Sequence, residues 1–252
     1  MRLTILTPVV GALFLNASAV QAAFTTESCL AAKLTAAGNF RKCRDGQRAR
    51  LLQSKPADVA KCSTKFQDKI ANLSEKASKA GIACRYGDNG DGTVTDYDTG
   101  LQWEQKNGSG GGVNLANPHD VDNVYDWSSD SANTAMSGTV FTDFLTRLNN
   151  CSFAPGFVLN FAGFAFHCDW RLPTLGDLAT IVDESQGFCG GGSGACIDPI
   201  FGPTAAAFTW SSTTDTDDAH DAWGVFFGDG VLIDNPKVDA ITNHVRAVRG
   251  GL

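Results

Sequence analysis

Histidine is scarce in this chain. There are four, His119, His167, His220 and His244, scattered along 252 residues. No C-x-x-C pair and no H-E-x-x-H accompanies them, which excludes the usual zinc centres. G-x-S-x-G and the phosphate-binding loop are also missing, so no hydrolase or nucleotide motif is present. No G-x-y repeat occurs, which excludes a collagen triple helix. After residue 22 no apolar run is long enough to cross a bilayer. Positive charge is the most uneven shortage. Tyr86 to Leu252 holds 6 Lys/Arg against 22 Asp/Glu, a net of −16.

The N-terminus carries an address. Arg2 precedes an apolar run from Leu3 to Leu15, and small residues lead to Val20-Gln21-Ala22. A charged start, a short apolar core and a V-x-A site predict a signal peptide over 1–22. The mature chain is expected to be exported, to the periplasm, the cell surface or the medium. Nucleic acid is not an expected partner there. Eight cysteines, all beyond residue 22, agree with an oxidising compartment and predict four disulfides.

Residues 24–85 differ from the rest, with 13 Lys/Arg against 5 Asp/Glu, a net of +8. Such asymmetry predicts two units with different surfaces, 24–85 and 86–252. Cys29, Ala32, Ala36, Phe40 and Cys43 recur at helical spacing, as do Val59, Cys62, Phe66, Ile70, Leu73, Ala77 and Ala80. Thr25, Thr26 or Ser28 suits the first start, Ser54 before Pro56 the second, and Gly81 the stop. The expectation is a basic α-helical hairpin. Folding it near residue 53 pairs Cys43 with Cys62 and Cys29 with Cys84, each bridge contributing about 2–4 kcal/mol. Its basic face would attract an acidic polymer, dock on the acidic unit, or simply be solvated.

The acidic unit reads as α+β. Thr93–Tyr97 and Leu101–Glu104 form a hairpin around Asp98-Thr99-Gly100. Val140, Phe141, Phe144, Leu145 and Leu148 have helical spacing. A helix follows Pro173, capped by Thr174 with Asp177 at its third position. Strands are expected at Ala207–Ser211, along Trp223, Val225 and Phe227, at Val231–Asp234 and at His244–Arg249. Cys189 and Cys196 close their own loop, leaving Cys151 for Cys168.

Four segments in order carry a family likeness: Asp88–Trp103 (DNGDGTVTDYDTGLQW), Asp169–Leu178 (DWRLPTLGDL), Trp210–Thr213 (WSST) and Ala222–Gly251 (AWGVFFGDG, then HVRAVRGG). Together they resemble the C-terminal domain family of the Lcl type, over about residues 86–252. That family is named for a bacterial collagen-like adhesin. The resemblance implies a C-type-lectin-like fold and a non-enzymatic binding or adhesion role, with a carbohydrate or surface polymer as partner. A protein partner in the cell envelope is the alternative. The named adhesin is associated with sulfated polysaccharides, which a unit at −16 would repel, so the basic hairpin should carry any polyanion. The R-L-P-T and V-R-G-G phrases also look like those of formylglycine-generating oxidases, which need a reactive cysteine pair that binds copper.

Candidate sites follow. Asp215, Asp217, Asp218 and Asp221 form an acidic loop that could coordinate calcium, with His220 beside them as a ligand-binding residue. Asp88–Asp96 reads as a turn feeding the first hairpin, since Gly90 and Gly92 stand where an EF-hand needs oxygen. Trp103, Trp170, Trp210 and Trp223 fall in the family-like segments and read as core. Trp127, in a polar stretch with Tyr125, is the aromatic chosen as a sugar platform. Arg171, Arg246 and Arg249 read as structural ion pairs.

Overall fold

The structure, a computed structural model, describes residues 24–108, 111–151, 163–186, 189–191, 194–238 and 241–251. The signal-peptide segment lies outside the described residues.

Two long helices come first. Helix α1 spans Thr26–Leu52 and α2 spans Ala60–Ala80. Thr25 caps α1 through a capping box with Ser28, satisfying donors that the first turn leaves free. Gly81 ends α2 at φ 67°, a conformation that costs glycine little. The second start differs from the Ser54 expectation. Helix α2 begins at Ala60, where the Asp58 carboxylate accepts from the Lys61 N–H. The helices pack through Ala36, Phe40, Cys62, Phe66 and Ile70, with Phe40 and Phe66 ring centroids 5.4 Å apart. Cys43–Cys62 and Cys29–Cys84 are bonded as expected.

A four-stranded antiparallel sheet follows, in the order β1 (Tyr86–Asp88), β2 (Thr93–Asp96), β3 (Leu101–Glu104), β9 (Val248–Gly250). Its inner face carries Val94, Leu101, Trp103 and Val248, packed on Phe201 and Val225 and on Leu178 of α4 (Leu175–Ala179). Thr174 and Asp177 form the expected capping box on α4. A second sheet runs β5 (Phe208–Thr214), β6 (Asp221–Phe226), β7 (Val231–Pro236). A two-stranded ladder pairs β4 (Tyr125–Asp126) with β8 (Thr242–Asn243). The Val140–Leu148 segment is helical, as a π turn to Phe144 that runs into α3 (Leu145–Leu148). Of the single last strand expected at His244–Arg249, only Val248 and Arg249 lie in a strand, β9, and His244 makes an isolated bridge to Thr209 of β5. Cys151–Cys168 and Cys189–Cys196 are bonded, so all eight cysteines are paired.

The helix pair is fastened to the sheet. Lys33 of α1, almost fully buried, donates to Asp98, and Arg85 donates to both oxygens of buried Asp96. Both ion pairs link the basic segment to the β2–β3 turn region.

Candidate functional site

Side chains alternate along strands, so the outer face of the four-stranded sheet is set by its register. Thr95 lies opposite Gln102, and Gln102 opposite Arg249, giving one polar row across β2, β3 and β9. That row floors a cleft of about 670 Å³. Phe40, Arg41 and Arg44 of α1 form one wall, and His167, Asp169 and Arg171 line the cleft from the segment leading to α4.

Arg249 is held rigidly. Its Nε and Nη2 donate to Asp169 at 2.6 and 3.1 Å, and Nη1 donates to the Gln102 amide oxygen at 2.6 Å. Burial alone would raise the Asp169 pKa, but Arg249 outweighs it and holds that carboxyl below the usual range. Burial, aided by Arg249, pushes the His167 imidazole below its ordinary pKa, so it is neutral at neutral pH. Arg171 donates to Asp177 of α4 at 2.7 Å. On the wall, Arg44 lies 5.6 Å from the Phe40 ring centroid, and its buried Nε–H has no acceptor. Arg41 is exposed.

Charge is what singles this cleft out. Of the six basic residues between Tyr86 and Leu252, Lys106, Lys237 and Arg246 are buried, and Arg147 pairs with Asp143. The other two, Arg171 and Arg249, both line the cleft. Helix α1 adds two more arginines opposite them. Four guanidiniums therefore converge where the surrounding segment is strongly acidic, with Asp169 the one carboxylate among the lining residues. Sequence reasoning placed Arg171 and Arg249 in ion pairs, which they form, and missed that both face one cleft. The shortage of positive charge was the available signal. Phe40, Arg41 and Arg44 gave no such signal, because nothing in the sequence says which face of α1 meets the sheet.

The aromatic platform is corrected. Tyr125 and Trp127 are 1% and 0% exposed. The Tyr125 ring packs on Phe144, and the Trp127 ring meets Phe141 edge-on. Trp127 Nε1 donates to the Ser211 carbonyl. Neither ring has a free face on which a sugar could stack. The polar stretch around them misled because its side chains cap turns while the two rings point inward. Trp103, Trp170 and Trp210 are core, as expected, whereas Trp223 is half-buried.

In the acidic loop the carboxylates are engaged locally. Among the described residues no group of three His, Cys, Asp or Glu is placed to hold a metal ion. Asp215 accepts from the Asp217 N–H, and Asp218 accepts from the His220 N–H and lies 2.8 Å from its Nδ1. Burial and the nearby Asp218 and Asp234 push the Asp221 pKa up. The loop's positive charge is internal: Lys237 Nζ donates to the Ala219 carbonyl and the Thr214 hydroxyl at 2.9 and 2.8 Å. The Asp88–Asp96 segment is the expected turn, with Gly90 and Gly92 at φ 72° and 85° and Asp88 accepting from the Gly90 N–H.

One further polar cluster is internal. Glu104 is fully buried and accepts from Lys106 at 2.9 Å, from the Ala247 N–H at 2.9 Å, and lies 2.8 Å from His119 Nδ1. Burial works to raise its pKa, but Lys106 and His119 prevail and hold it low. Arg246 is not in the expected ion pair. Its guanidinium donates to the carbonyls of Glu104 and Phe201 and to the Thr204 hydroxyl, and burial pushes its pKa down to about 10. This cluster joins β3 to the chain's last segment and opens on no sizeable cleft.

A family model described as the Lcl C-terminal domain matches residues 92–249. No curated protein and no solved structure matches the chain. Most of the cleft floor and Asp169, Arg171 and Arg249 lie inside the matched segment, while the α1 wall lies outside it.

Proposed function

The chain belongs to the Lcl C-terminal domain family, and from that premise we propose that it is an exported, non-enzymatic binding module that takes an acidic carbohydrate polymer in the cleft between α1 and the four-stranded sheet. The observation that carries this is the convergence of Arg41, Arg44, Arg171 and Arg249 on one cleft in an otherwise acidic segment. Guanidiniums bind carboxylate and sulfate groups through paired, charge-assisted hydrogen bonds. Amide and hydroxyl groups of Gln102 and Thr95 suit sugar hydroxyls on the floor between them. The mixed helix and antiparallel-strand layout supports a C-type-lectin-like fold for residues 86–252, preceded by a disulfide-stapled hairpin over 24–85. Four disulfides support export to an oxidising compartment, at the cell surface, in the periplasm or outside. An oxidase role would need free thiols, and every cysteine is bonded.

A glycan array with the mature, disulfide-intact protein tests the proposal. Binding confined to uronate- or sulfate-bearing glycans is expected. Two double variants then locate the site. R41E/R44E should abolish binding, and K76E/K79E, equal in charge change but away from the cleft, should leave most of it. A blank array from a folded sample, or equal loss in both variants, would overturn the assignment.

A further inference from the structure

The apex of the α1–α2 hairpin combines three features that meet nowhere else among the described residues. The first is bare apolar surface. Leu52 ends α1 and is 89% exposed, more than any other large apolar side chain described, and Leu51 beside it is 57% exposed. Every residue from Arg48 to Pro56 is exposed, so the apex packs on nothing. Along the helix axis it stands about 12 Å beyond Arg44 and the cleft wall, at 1.5 Å per residue. The second feature is charge. Arg48, Arg50 and Lys55 flank the two leucines in the chain, and no carboxylate lies between Asp45 and Asp58. Over residues 41–61 seven Lys/Arg stand against two Asp/Glu. The third is a closed backbone. The N–H groups of Gln53 and Lys55 donate to the Arg50 carbonyl, that of Ser54 donates to the Leu51 carbonyl, and Pro56 has none to satisfy. Arg50 Nε donates to the Pro56 carbonyl at 2.7 Å and fastens the turn. The apex can therefore leave water without stranding a backbone donor, which is what a non-aqueous surrounding demands.

We propose that this apex docks on an anionic phospholipid bilayer. Leu51 and Leu52 enter the boundary between headgroups and acyl chains, while Arg48, Arg50 and Lys55 stay among the phosphates. Charge selects this occupant over the others. A second copy would set one basic apex against another. A soluble polyanion would answer the charges and leave both leucines in water. A bilayer alone among these is anionic at its surface and apolar just beneath it. The contact is small, two leucines and three cations, so attachment is reversible and weakens as salt screens the charges. It uses none of the residues that line the glycan cleft.

Co-sedimentation of the mature, disulfide-intact protein with vesicles tests this. The wild type should bind vesicles of mixed phosphatidylglycerol and phosphatidylcholine, and not phosphatidylcholine alone. L51S/L52S should weaken that binding about tenfold or more. R48E/K55E, which spares the Arg50 bond that closes the turn, should abolish it. L34S, at a 59% exposed position elsewhere on α1, should leave it unchanged. Near-UV circular dichroism confirms the fold of each variant, and either apex variant suffices if the other misfolds. L52W adds a direct reading: its extra fluorescence should shift to the blue on the mixed vesicles and be quenched by brominated acyl chains. Retention on a polyuronate column should not respond to L51S/L52S, which separates this contact from the glycan cleft. Failure of the wild type to bind the mixed vesicles overturns the proposal. So does binding indifferent to L51S/L52S, which marks a contact of charge alone, an L52W signal that brominated lipid leaves unquenched, or equal loss of vesicle and polyuronate binding in folded L51S/L52S.

Discussion

The Lys237 ammonium lies 4.2 Å from the centroid of the Trp127 ring. Two sequence features that read as separate ligand sites, the tryptophan in a polar stretch and the acidic loop at 215–221, therefore share one internal cation. Burial lowers the Lys237 pKa, while Asp221, Asp130 and Asp218 counter that and keep it charged. Removing the ammonium leaves the Ala219 carbonyl and Thr214 hydroxyl without their donor. Lys237→Met should cost about 1–3 kcal/mol of stability, read as a lower melting temperature by tryptophan fluorescence. Calcium should leave the wild-type midpoint unmoved.

Glu104 supplies acid sensitivity. Its native pKa lies below the ordinary 4.5, so its stabilising contribution is full above that value and is lost as pH falls through the lower native one. Glu104→Gln should destabilise by about 3 kcal/mol at neutral pH, since it leaves Lys106 buried without its counter-charge. Urea titrations of both proteins should converge as the buffer is made acidic.

Asp169 is the negative charge in the proposed ligand cleft. Asp169→Asn keeps the shape, loosens the grip on Arg249 and removes repulsion. Affinity for an acidic glycan should rise roughly three- to tenfold, measured by calorimetry. An unchanged or weakened affinity would place the anion elsewhere.

His167 should make that affinity depend on pH. It is neutral at neutral pH and gains its charge only below the ordinary 6.5, while Asp169 stays ionised through that window. With Arg41, Arg44, Arg171 and Arg249 fixed in charge, the cleft becomes more positive as pH falls. Binding should therefore tighten as pH falls below 6.5, and His167→Gln should flatten the profile.

What the sequence made legible was local. Thr174 and Asp177 signal their own cap, Gly81 its own stop, and helical spacing between cysteines gave the pairings of α1 with α2. These depend on residues a few positions apart or on one fold-back. The cleft depends on residues separated by two hundred positions, Arg44 and Arg249, brought together by how α1 lies across a sheet. Periodicity says that α1 has an apolar stripe and gives no direction to its other faces. The shortening of the last strand was hidden for a related reason. His244 to Arg249 reads as one run, but His244 bridges to Thr209 of β5 while Val248 and Arg249 pair with β3, so its partners sit in two different sheets.

The α1 wall lies outside the segment that the family model covers. The proposed binding site is thus composite, with most of its floor inside the matched segment and its wall in α1. A chain that kept Asp169, Arg171 and Arg249 and exchanged α1 would offer them to a different opposing surface. Selectivity in such an arrangement would be set by the helical wall, while the scaffold that carries the floor is left untouched.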